Sequence, residues 1–122
     1  MKVLLGIGGS ADAMRALDET IDRVEQTDDD LTVAIVENPT VDVAGAAIRA
    51  LVEDALAAAG LEAPIRELEG DPGPAIVTLA ETEGFDEIVL GGGEESPLGK
   101  IDVGRIAEYV VLNATVSVRL VR

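Results

Sequence analysis

Residues 89–110 read VLGGGEESPLGKIDVGRIAEYV, and the reading of this stretch decides the fold. An apolar run that begins upstream in DEIVL, residues 86–90, ends in three glycines. After a loop, Val103, Ile106, Ala107, Val110 and Val111 recur at the spacing of one helical face. A buried strand that passes through a glycine turn into a helix is the repeating unit of a parallel α/β sheet. Glycines ahead of a helix N-terminus also let backbone N–H groups approach an anion. Two glutamates, Glu94 and Glu95, stand inside the same loop. A carboxylate ~4 Å from a phosphate charge costs on the order of 1 kcal/mol in water, and more where solvent is excluded.

The same unit recurs to either side. KVLLGIGGS at residues 2–10 is an apolar run ending in glycines, with Ser10 placed as a helix N-cap. Met14, Leu17, Ile21 and Val24 give the first helix its face, and TDDD at 27–30 breaks it as a solvated turn. LTVAIVE at 31–37 is a second buried strand, ended by NPT. Asp42 then caps a helix whose face is Ala47, Ile48, Leu51, Val52, Ala55, Leu56 and Ala59, with Gly60 stopping it. PIRELE at 64–69 is a short third strand. GDPGPA leads into a third helix, with Pro74 near its first position and Ile76, Val77 and Ala80 facing inward; Gly84 ends it. TVSVRLVR at 115–122 is a fifth strand. Strands and helices alternate throughout, so right-handed crossovers demand one parallel sheet with helices on both faces. Ligands in such folds bind beyond the carboxyl ends of the strands, where strand order reverses. The glycine turns after the first and fourth strands are the two candidates.

Composition narrows the chemistry. The 122 residues suit one domain, and with apolar residues at 48% but aromatics at only 2% the core must be aliphatic. There is no cysteine and no histidine, which removes disulfides, thiolate catalysis, the usual neutral-pH base and the commonest transition-metal ligand. No catalytic constellation stands out, so an enzyme is not expected. The net charge of −15 disfavours nucleic acid and anionic membranes as partners. The absence of a leader-like N-terminal run, and of any apolar stretch near ~18 residues, points to the cytoplasm. The 24 acids are set against seven arginines and only two lysines, Lys2 and Lys100, a balance suited to molar salt. There the Debye length is ~3 Å and crowded carboxylates repel little.

The first loop, Gly6 to Ala11, can be laid on the dinucleotide pattern G-x-G-x-x-A. That reading leaves a strand of about four residues and puts the next acid, Glu37, 26 positions beyond Ala11 rather than the expected ~20. A tight strand-to-helix turn is the simpler account.

Taken together, KVLLGIGGSADAMRALDETI, GDPGPAIVTLAETEGFDEIVLGGG and GRIAEYVVLNATVSVRLVR resemble, in order and spacing, the universal stress protein family of the adenine-nucleotide α-hydrolase-like superfamily. The resemblance covers nearly the whole chain and implies a single Rossmann-like domain over 1–122. Its three layers would hold a five-stranded parallel sheet in the order 3-2-1-4-5, with four helices on both faces. With the charge balance, it implies a halophilic archaeal member. ATP-binding members carry G-x2-G-x9-G-[ST] after the fourth strand. Laid on this chain from Gly91, the second glycine falls on Glu94, the third on Gly104 and the hydroxyl on Arg105. The family's aspartate in the first turn falls on Gly8. The candidate nucleotide-binding set is thus Gly8, Ser10, Val36, Gly91, Glu94, Gly104 and Arg105, degenerate for ATP. No cofactor or metal is expected, and ATP or another adenine nucleotide is the alternative to an empty site. Arg105 has two uses open to it, an anion or an internal salt bridge with Glu94 or Glu95.

The resemblance places the last strand at a sheet edge, and family dimers pair this strand with its twofold mate. Thr115, Val116, Val118 and Leu120 are the expected homodimer interface, with Arg119 available to carboxylates across it. The functional expectation is a non-catalytic, dimeric stress-response protein; the alternative is an ATP-binding member acting as a nucleotide-dependent switch.

Overall fold

The computed structural model describes residues 1–7, 11–36, 45–91, 94–95, 101–102 and 105–121. The elements are β1 (Lys2–Ile7), α1 (Ala11–Thr27), β2 (Asp30–Val36), α2 (Gly45–Ala58), β3 (Ile65–Leu68), α3 (Pro72–Thr82), β4 (Glu87–Gly91), β5 (Glu94–Glu95), β6 (Ile101–Asp102), α4 (Arg105–Asn113) and β7 (Ser117–Val121). β3, β2, β1, β4 and β7 form one sheet in that order, and every pairing in it is parallel. With β7 as the fifth long strand, this is the expected 3-2-1-4-5 arrangement.

The sheet is buried on both faces because its strands are apolar in both registers. One face carries Val3, Leu5 and Ile7 of β1, Val33 and Ile35 of β2 and Val89 of β4 against Leu17, Ile21, Ile48 and Val52 of α1 and α2. The other carries Leu4, Ala34, Ile88 and Leu90 against Ile76, Ala80, Ala107 and Val110 of α3 and α4. Each fully buried aliphatic side chain contributes about 1.5–3 kcal/mol relative to exposure. The near absence of large rings is thus met by two thin layers of Val, Ile, Leu and Ala.

Glycine ends α2 and α3 as the sequence implied. Gly60 and Gly84 both have φ of 69°. Leu61 N–H donates to Leu56 O at 3.0 Å and Phe85 N–H to Ala80 O at 2.9 Å, the six-to-one bond that closes a helix through a left-handed residue. Leu61 and Phe85 then turn back onto the core.

Four expectations are corrected. α3 begins at Pro72 behind Asp71, two residues before the expected Pro74, because Pro72 already supplies the fixed φ of a first helical position. On α2, Ala47 and Leu51 are exposed, Leu51 at 51%, because Ile48, Val52 and Leu56, with Ala55 and Ala59 packed beside them, fill the space over the sheet. On α4, Val111 is 49% exposed. The segment after β4, read only as a loop, contains a two-residue antiparallel ladder in which Glu94 pairs with Asp102 and Glu95 with Ile101. Asp42, Glu37, Lys100 and Val103 lie outside the described residues.

Candidate functional site

The site is set by where the chain reverses its order across the sheet. From β1 it crosses to β2 through α1 on one face, and from β3 it returns to β4 through α3 on the other. The crevice opens between β1 and β4 at their carboxyl ends. Leu5 is the register partner of Val89, so Ile7 and Gly91, each two residues on, end level with each other. Both strands therefore end side by side.

Of the sequence-derived residues, Gly91 closes β4 and is half-buried at this mouth. Arg105 is the first residue of α4 and is exposed. Glu94 sits in the short ladder beyond Gly91. Val36 ends β2 level with Leu68 of β3, but its side chain is buried in the core layer under α3 and α4. Gly8, Ser10 and Gly104 lie outside the described residues, as do the side chains of Glu94 and Glu95, so the pairing expected of Arg105 with them lies outside as well.

The sequence missed why Gly6, the first glycine of the G-x-G-x-x-A pattern, is a glycine. A Cβ there would lie 2.6 Å from Leu90 Cδ2 and 3.1 Å from Ile76 Cδ1. The missing side chain is replaced by core leucine and isoleucine, not by a ligand, so the first glycine of a dinucleotide fingerprint is absorbed by packing. A second close approach fixes α4. At Gly73 a Cβ would lie 2.7 Å from Tyr109 Cδ1 and 3.1 Å from Tyr109 Cβ. The bare backbone of α3 thereby lets α4 seat closely, which sets where the α4 N-terminus meets the mouth. That terminus also carries Glu108 in its first turn, an acid of the chain's own against the positive end of the helix dipole.

The groups with shifted protonation lie at the other end of the sheet. The Met1 amine is raised from 8.0, first by its hydrogen bond to Asp29 and then by the charge of that carboxylate. Asp29 is lowered from 3.8, first by the hydrogen bond from Thr27 and then by that from the amine. The distances are 3.2 Å for Met1 N to Asp29 Oδ1 and 2.8 Å for Thr27 Oγ1 to Asp29 Oδ2. This network ties β1 to the α1–β2 turn. Lys2 does the same for α3: its Nζ donates to Glu83 O at 2.7 Å and stands 4.6 Å from the Phe85 ring centroid. Among the described residues no group of three or more Asp, Glu, His or Cys is placed to hold a metal ion. No helix among them is long and apolar enough to cross a membrane.

At the sheet edge, β7 pairs with β4 through Gly91–Val121 and Glu87–Ser117. Val116, Val118 and Leu120 are half-buried on the α3–α4 face, and Thr115 is exposed. Arg119, expected to look across an interface, reaches Glu87 of its own chain at 3.5 Å.

Comparison with known proteins agrees with this geometry. The universal stress protein family profile matches residues 1–122. A universal stress protein solved in complex with cAMP is 25% identical, with a TM-score of 0.78 over 100% of this chain and 96% of that one. A universal stress protein from Archaeoglobus fulgidus is 21% identical, with a TM-score of 0.81 over 100% and 98%. One from Arabidopsis thaliana with AMP bound is 16% identical, with a TM-score of 0.72 over 99% and 90%. The curated proteins give no match.

Proposed function

The chain belongs to the universal stress protein family, and on that premise we propose that it is a non-catalytic, homodimeric stress-response protein whose nucleotide site is degenerate for ATP. The observation that carries the proposal is the identity and placement of the residues after β4. The backbone leaves Gly91 for a ladder that contains Glu94, at the position where ATP-binding members have a glycine. α4 then opens on Arg105, where those members have a hydroxyl. A triphosphate would bring up to four negative charges to this acidic loop, each costing about 1 kcal/mol at ~4 Å in water and about 4 at an effective dielectric of 20. The absence of histidine and cysteine supports a non-catalytic role. The acid-rich, lysine-poor surface supports life in molar salt. The open edge of β7, with its half-buried valines and leucine, supports pairing with a second copy.

Calorimetric titration with magnesium and ATP in molar salt tests the site. The expected dissociation constant is weaker than about 1 mM, or about −4 kcal/mol. Micromolar binding would overturn the degenerate reading in favour of a nucleotide-dependent switch. A second reading rests on the cAMP complex of the 25%-identical relative. A single phosphate brings less charge to Glu94 than three, so binding of cAMP or AMP without ATP in the same titration would favour a monophosphate site.

A further inference from the structure

Among the described residues Thr20 is the one polar side chain sealed in the core, 1% exposed, and its hydroxyl makes no hydrogen bond. A helical threonine can turn its hydroxyl back onto a carbonyl of the preceding turn; this one does not. Its surroundings follow from the fold. α1 packs over β1, β4 and β7, with α2 beside it over β2. With Leu17 aimed at the sheet, Ile21 and Met14 lie about 40–60° to one side of α1, and Thr20 and Ala16 about 60–100° to the other. The right-handed crossover from β1 to β2 turns the first flank towards α2 and the second over β4 and β7. The height agrees as well. Thr20 stands about 10 Å above Thr27 at the foot of α1, which Asp29 joins to Met1 at the start of β1. Arg119 is level with Val89 and Leu5, three residues or about 10 Å above Lys2.

Glu87 and Arg119 lie on this same face of the sheet, in step with Val89 and Val121. They form an ion pair, Arg119 Nε to Glu87 Oε1, at 3.5 Å, with side chains 28% and 13% exposed. That separation exceeds the ~2.7–3.2 Å of an N–H···O hydrogen bond. Glu87 Oε1, Arg119 Nε and Arg119 Nη2 are all buried and, like Thr20 Oγ1, make no hydrogen bond. Three elements thus bring four buried polar atoms to one junction, and buried polar groups are destabilising unless partnered. We propose that one water molecule is a fixed part of this junction, donating to Glu87 Oε1, accepting from Arg119 Nη2 and hydrogen-bonded to Thr20 Oγ1. Buried waters make about three such bonds to groups that lack other partners. The mixed chemistry selects water over an ion. A chloride would meet the Glu87 carboxylate and a sodium ion the Arg119 guanidinium, whereas water both donates and accepts. The water ties the edge strand β7, through its ion pair with β4, to α1 above them.

Crystals of the wild-type chain in molar rubidium bromide test this, because either ion gives an anomalous signal and water gives none. The expected result is one ordered solvent atom without anomalous signal, within ~3.2 Å of Glu87, Arg119 and Thr20. A bromide or rubidium peak at the junction overturns the choice of water. A direct Glu87–Arg119 hydrogen bond with no ordered solvent, or solvent that reaches fewer than these three residues, overturns the site. Thr20→Val keeps the shape of the side chain and removes the hydroxyl. Its Tm in molar salt should fall by a few degrees, because the water loses a partner. Removing a hydroxyl that had no partner would leave Tm unchanged or raise it, and that result also overturns the proposal.

Discussion

Replacing Gly6 by alanine adds one methyl at the centre of the sheet, beneath α3. Its Cβ would stand 2.6 Å from Leu90 Cδ2 and 3.1 Å from Ile76 Cδ1, side chains that are 4% and 0% exposed. Neither has open space to retreat into, because such interiors are packed as densely as organic crystals. Overpacking of this kind costs about 1–3 kcal/mol. Gly6 has no positive φ, so alanine also restricts the unfolded chain and returns about 0.4–1 kcal/mol. The net destabilisation is about 1–2 kcal/mol, or roughly 4–8 °C in Tm for a domain of this size. Thermal unfolding followed by circular dichroism in molar salt reads it directly. A double-mutant cycle with Leu90→Ala isolates the cause. That change alone costs about 2–5 kcal/mol as a cavity, and the methyl of Gly6→Ala partly fills it. The double variant should therefore lie above the sum of the singles by about 0.5–3 kcal/mol. An unchanged or raised Tm for Gly6→Ala, or strict additivity, would refute the packing account and return Gly6 to a ligand-facing role.

Two further outcomes follow from the charges. Lowering salt from molar to about 0.1 M lengthens the Debye length from ~3 to ~10 Å, so self-repulsion should lower Tm or weaken the proposed self-association, and a salt-independent melt contradicts the halophilic reading. The raised Met1 amine contributes stability that is complete below about pH 8 and is lost as pH rises through its folded-state value. The lowered Asp29 contributes stability that is complete above about pH 3.8 and is lost as pH falls through its own folded-state value. Asp29→Asn should therefore flatten the alkaline limb of Tm against pH, and an alkaline limb identical to wild type contradicts the assignment.

The elements were legible where one residue type decides one conformation. The runs VLLGI, LTVAIV and EIVLG could only be buried strands, and Gly60 and Gly84 stop helices because they take a positive φ. Legibility failed where a remote partner decides. Leu51 and Val111 have helical spacing, but the space they would fill is already taken or left open by other elements. Gly6 is explained by Ile76 and Leu90, and Gly73 by Tyr109, partners 70, 84 and 36 positions away, which no local pattern reveals. The ladder of Glu94–Glu95 with Ile101–Asp102 has no β-branched alternation to announce it. At the mouth, sequence located Gly91 and Arg105 correctly at the end of a strand and the start of a helix, because both belong to regular elements. It named Val36 as a candidate, and the side chain of Val36 packs in the core layer under α3 and α4.

The most direct test of the degenerate site is the ATP affinity of the wild-type chain measured beside that of the Glu94→Gly/Arg105→Ser variant, in molar salt with magnesium. Removing the carboxylate relieves about 1–4 kcal/mol where bound phosphates exclude solvent and salt from it, and the restored hydroxyl adds about 0.5–1.5 kcal/mol. The account predicts wild-type binding weaker than about 1 mM and at least tenfold tighter binding by the variant. Micromolar affinity in the wild type, or a variant no tighter than wild type, would contradict it.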